Sequence, residues 1–77
     1  MSYTVCIYNG NTGRETTYDT IDEAKRDADS VWTHLTPKEK IKYTNRTAGA
    51  CFCITENDEN DIAVGTAYDY ADEMEEE

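Results

Sequence analysis

Cys6, Cys51, Cys53 and His34 are the side chains of this chain with the clearest capacity for metal or nucleophile chemistry. They match a Cys₃His zinc site in number. Their spacing does not: one residue separates Cys51 from Cys53, whereas zinc knuckles place two to four between paired cysteines. A Cys–His nucleophile needs the base within hydrogen-bond reach and a third group to orient it. Helical periodicity puts His34 on the polar side of a helix, while strand parity puts the thiols beyond a sheet. The expectation is three reduced thiols, buried or half-buried, with His34 near a helix C-terminus meeting the last carbonyls. No metal and no cofactor is expected.

Other chemical signatures fail on similar grounds. Asn9-Gly10-Asn11-Thr12-Gly13 has the glycines of a phosphate loop but no following helix and no Lys-Ser/Thr. Residues 56–61 (ENDEND) approach a calcium loop, yet lack the glycine at its sixth position, the bidentate Glu at its twelfth and flanking helices. Lys38, Lys40, Lys42 and Arg46 form the basic run, which neutralises neighbouring acids such as Glu39. No catalytic constellation emerges, so the chain is not expected to be an enzyme.

Charge distribution carries more information. The formal net charge is −10, but residues 1–46 hold seven acids and seven basic residues and sum to zero. Residues 47–77 hold ten acids and no Lys or Arg. Such a field repels nucleic acid and acidic membrane surfaces and attracts basic protein surfaces. B-DNA carries one charge per roughly 1.7 Å of axis, so ten carboxylates equal about 17 Å of duplex. Glu56, Asp58, Glu59, Asp61, Asp69, Asp72 and Glu73 are therefore the candidate partner-binding acids. Tyr68 and Tyr70 would add flat aromatic surface between them.

The elements that position these residues start from a helix over 20–35. At 100° per residue, Ile21, Ala24, Ala28, Val31, Trp32 and Leu35 share an arc about 100° wide. Thr20 and Glu23 form its capping box, and Lys25 at the edge of the stripe has a stem long enough to snorkel. Thr36-Pro37-Lys38-Glu39 opens a second, short helix to about residue 44. Alternation predicts a strand over 3–9, a turn at 9–13 and a polar edge strand over 14–19. After a connector at 45–49 come a third strand over 50–55 and an acidic turn at 56–60. A fourth strand over 62–70 would put Ile62, Val64, Thr66, Tyr68 and Tyr70 on one face, with Gly65 marking a bulge or close approach.

The order ββα(α)ββ implies an α+β domain, a four-stranded antiparallel sheet with the helices on one face. Residues 1–70 form the single domain, and 71–77 an acidic tail that either frays or continues as a short helix. The expected core sets Val5, Ile7, Phe52, Ile54, Ile62 and Val64 against Ala24, Ala28, Val31, Trp32 and Leu35. The strand order stays open. Thr4, Cys6, Tyr8, Cys51 and Cys53 fall on the far face, which reads either as a mixed solvent face or as a contact surface. The start MSYTVCIYNG lacks the charged and apolar regions of a signal peptide, and no run reaches about 18 apolar residues. With an odd cysteine count, a reducing cytoplasm and no membrane association are expected.

Size, uneven charge, ββαββ order and the absence of catalytic residues resemble the small acidic proteins of phages and mobile elements. This class includes anti-CRISPR and anti-restriction proteins that mimic nucleic acid. The segments YTVCIYN and EAKRDADSVWTHLTPKEK also look like small phage or prophage proteins. The resemblance implies a phage-encoded inhibitor acting in the host cytoplasm. Its acidic surface would occupy the basic nucleic-acid site of a CRISPR effector or other defence nuclease, without touching nucleic acid itself. The alternative is a non-enzymatic assembly module that forms a homodimer through the far sheet face, its acids serving solubility.

Overall fold

Two threonines set the helical layer in the computed structural model, which describes residues 1–9, 13–44 and 49–74. Thr20 Oγ1 accepts the Glu23 backbone N–H at 3.2 Å and starts α1 (Ile21–Thr33). Thr36 does the same for Glu39, whose carboxylate accepts the Thr36 N–H at 2.9 Å, starting α2 (Pro37–Thr44). Each cap satisfies donors that a helix cannot satisfy internally. The imidazole of His34, the C-cap of α1, lies 2.7 Å from the Ser30 carbonyl.

The sheet has the order β2-β1-β3-β4, all antiparallel, from β1 (Ser2–Asn9), β2 (Gly13–Tyr18), β3 (Ala50–Asn57) and β4 (Ala63–Asp69). The two most apolar strands are therefore central, with Val5 opposite Ile54 and Ile7 opposite Phe52. Their helix-facing side chains are buried against Ala24, Ala28 and Trp32, while Ile21, Val31 and Leu35 pack at the margin. Tyr8 lies across from Gly13, and a Cβ on Gly13 would meet the Tyr8 ring at 1.9 Å, so this edge position admits no side chain in this arrangement. Among the described residues no helix is long and apolar enough to cross a membrane. Residues 10–12, 45–48 and 75–77, which include the tip of the first turn, Arg46 and the last three glutamates, lie outside the described residues.

The fourth strand departs from its expected alternation. Ile62 and Val64 are 61% and 60% exposed, not core residues. The register of β4 on β3 shifts twice: Tyr68 faces Ile54 but Thr66 faces Thr55, and Gly65 faces Glu56 but Ala63 faces Asn57. Ala67 and Val64 are the unmatched residues, and each extra residue resets which face the following side chains occupy. Gly65 adjoins one of these bulges. The helices lie over β1 and β3, so residues 63–67 at the sheet edge remain uncovered.

The missing aliphatic volume is supplied by an aromatic cluster. Instead of ending strand four, Tyr70 opens a 3₁₀ helix (Tyr70–Met74), the short-helix alternative for this stretch, and its ring is buried in the core. Asp69 Oδ1 accepts the Ala71 N–H at 3.0 Å and fixes that turn. Tyr70 meets Phe52 and Trp32 at centroid distances of 5.0 and 5.2 Å, and Tyr43 meets Phe52 edge-on at 5.9 Å. Tyr70 and Ala71 are both buried, so the folded unit extends past residue 70.

Candidate functional site

The ten-acid segment does not form one continuous row. Its described acids gather toward opposite ends of β4, whose two bulges leave it alongside only Cys53–Asn57 of β3, roughly 13 Å at the usual strand rise. At the first end, Asp58 turns inward: its Oδ1 accepts the backbone N–H groups of Asn60 at 2.8 Å and Ile62 at 3.0 Å. This is the local cap by which Asp favours tight turns. Asp61, at φ 63°, accepts from Ser2 Oγ at 3.1 Å. Ser2 Oγ in turn receives Asn57 Nδ2, which also donates to Thr4 Oγ1 at 2.9 Å. Both expected contact acids thus have structural duties. Glu59 is exposed and Glu56 half-buried, so these two present charge at this end.

At the other end, Asp72 and Glu73 are exposed on the 3₁₀ helix. Tyr68 donates to Glu73, and this bond, with desolvation and the fields of Glu73, Asp29 and Asp72, pushes its pKa up to about 12. Lys25 Nζ lies 4.2 Å above the Tyr68 ring, a cation–π contact within the acidic cluster. Tyr70, expected as an exposed contact, is only 1% exposed and belongs to the core. Its hydroxyl donates to Asp29, and burial followed by that bond raises its pKa well above the ordinary range.

Asp29 is the residue that sequence reasoning missed. It lies in the charge-balanced half, forty-one positions from Tyr70, yet joins Asp72 and Glu73 around the two tyrosines. No local pattern signals that contact. The ion pair between Arg14 and Asp27, 3.2 Å long, uses no acid of the C-terminal half.

On the opposite face of the sheet, parity is kept as expected: Thr4, Cys6, Tyr8, Cys51 and Cys53 lie together. The three cysteines are thiols and half-buried. Cys51 Sγ is 3.8 Å from Cys53 Sγ and 3.6 Å from the Cys6 carbonyl oxygen. Around them the polar groups largely bond one another, as in the pair Thr4–Thr17 at 3.0 Å and the Tyr8 hydroxyl on Glu15. Among the described residues, no three His, Cys, Asp or Glu side chains are arranged to hold a metal ion. A cleft of about 250 Å³ opens where β3 outruns β4, lined in part by Tyr43, Cys51, Cys53 and Asp69.

The chain matches no protein-family model, no curated protein and no solved structure.

Proposed function

We propose that the protein is a non-enzymatic inhibitor that docks its acidic end on a basic nucleic-acid-binding protein. The partner class is a CRISPR effector or another bacterial defence nuclease, met in the host cytoplasm, and the source is a phage or mobile element. One observation carries the reading: all ten excess acids lie in residues 47–77, with no Lys or Arg among them. Supporting it, Glu56 and Glu59 toward one end of β4, and Asp72 and Glu73 beyond the other, present charge at two separate places. Separated anionic patches on a rigid sheet suit a partner groove that normally holds successive phosphates. The contact set in this reading is Glu56, Glu59, Asp72 and Glu73, with Asp29, Tyr68 and Asp69 behind them. Asp58, Asp61 and Tyr70 hold the scaffold.

A homodimer through the far sheet face is the less favoured reading. Two chains of net charge −10 repel one another, and the hydroxyls, Asn57 and Tyr8 of that face already bond within it.

Capture from a CRISPR-bearing bacterial lysate tests the proposal, using tagged wild type and a Glu56→Gln/Glu59→Gln/Asp72→Asn/Glu73→Gln variant. The expected outcome is a nuclease retained by wild type, released by salt or by added duplex, and lost with the variant. Equal retention by both proteins, or retention indifferent to added nucleic acid, would refute it.

A further inference from the structure

We propose that Cys6 and Cys53 form a thiol–disulfide exchange site that takes small cationic disulfides and closes to a cross-strand bridge. The two residues stand directly opposite one another on the central antiparallel pair β1 and β3. Directly opposed residues there have Cα atoms about 4.5 or 5.5 Å apart, inside the range that a disulfide spans. The other pairings do not meet this geometry. Cys51 and Cys53 are two apart on one extended strand, so their parallel Cα–Cβ bonds keep the Cβ atoms about 6.6 Å apart, beyond the roughly 3.5–4.5 Å that a disulfide needs. Cys51 faces Tyr8 in the register, so it is a diagonal neighbour of Cys6 at about 7–8 Å.

The site has an electrostatic signature. Cys6 also faces Glu15 on β2, and Cys53 faces Asp69 on β4, so a carboxylate flanks the thiol pair on each side along one row of the sheet. Asp69 and Cys53 also line the cleft at the end of β4. A reagent with ammonium groups is drawn to this row, and an anionic one such as oxidised glutathione is repelled.

The roles of the two sulfurs differ. Cys53 lines the cleft at the end of β4 and Cys6 does not, and the interaction of the two thiols lowers the Cys53 pKa, while that interaction and burial raise that of Cys6. Cys53 is therefore the attacking thiolate. Its sulfur bonds to one sulfur of cystamine, the cystamine S–S bond breaks, and one cysteamine leaves with the proton that Cys53 gave up. Cys6 then loses its proton and attacks Cys53 Sγ, expelling the second cysteamine. The protein is oxidised by two electrons and one disulfide is reduced to two thiols.

The full-length reduced protein, treated with cystamine or with oxidised glutathione and mapped by peptide mass spectrometry, tests this. The expected product is an intramolecular Cys6–Cys53 bridge that also forms in Cys51→Ser. Cys6→Ser should stop at a mixed disulfide on Cys53. Cystamine should react at least about tenfold faster than oxidised glutathione at low salt, a gap that narrows as salt screens the row. The bridged protein should melt at least about 8 °C higher. A Cys51–Cys53 bridge, mixed disulfides spread evenly over the three thiols, or equal rates with both reagents would overturn the proposal. The wild-type map decides the pairing alone, whatever the serine variants do to folding.

Discussion

Tyr70 shows how one side chain can exchange its expected duty for another. Its place among acids suggests an exposed contact, yet its ring packs against both Trp32 and Phe52, which also touch each other, and only its hydroxyl reaches the edge, at Asp29. Burying that phenol makes its ionisation costly. The folded state favours the neutral form of both Tyr68 and Tyr70, whose pKa values lie above the ordinary 10.0. That contribution is complete below pH 10 and is lost as pH rises through the folded values, from about 12 for Tyr68 upward. Urea titrations followed by Trp32 fluorescence should therefore show stability falling steeply above pH 10. Tyr70→Phe should cost about 1 kcal/mol at neutral pH and flatten that fall. An unchanged alkaline slope in Tyr70→Phe would contradict the role assigned to its hydroxyl. Trp32→Ala removes one ring of the same cluster and should cost roughly 3–5 kcal/mol, enough to unfold most of a population of so small a domain. Circular dichroism and thermal melting would show it.

Helices and central strands were readable because their signals are local. Thr20 with Glu23 and Thr36 with Glu39 announce helix starts within four residues, and the alternation of Val5 with Ile7 needs no distant partner. The strand β4 departs from its sequence pattern for the opposite reason. Its period-two pattern from Ile62 to Tyr70 is genuine in sequence, but the unmatched Val64 and Ala67 break parity only when β4 meets β3. The outcome is checkable by substitution. Ile62→Thr and Val64→Thr should each change stability by less than about 0.5 kcal/mol, whereas Ile54→Ala should cost about 2–5 kcal/mol. Urea unfolding midpoints separate these cases, and a large loss in Val64→Thr would restore it to the core. The acids were legible as composition, but their division of labour was not. Asp58 and Asp61 are spent on the turn and on Ser2, and Asp29 arrives from another element altogether.

The overall molecule is a helix-backed sheet with an open thiol-bearing face and an acidic load concentrated in its second half. In the proposed reading, that load recognises a surface made for phosphates. Association should then weaken steeply with salt, because exposed ion pairing is screened and steering is lost. Asp19→Asn and Asp22→Asn, in the balanced half, should leave it unchanged. The decisive measurement is competition on the captured nuclease, with a labelled duplex followed by fluorescence anisotropy as the protein is added. The account predicts that wild type displaces the duplex at low salt, and that the Glu56→Gln/Glu59→Gln/Asp72→Asn/Glu73→Gln variant, folded by circular dichroism, does not. Equal displacement by that variant, or a ternary complex in which wild type binds while the duplex stays in place, would contradict it.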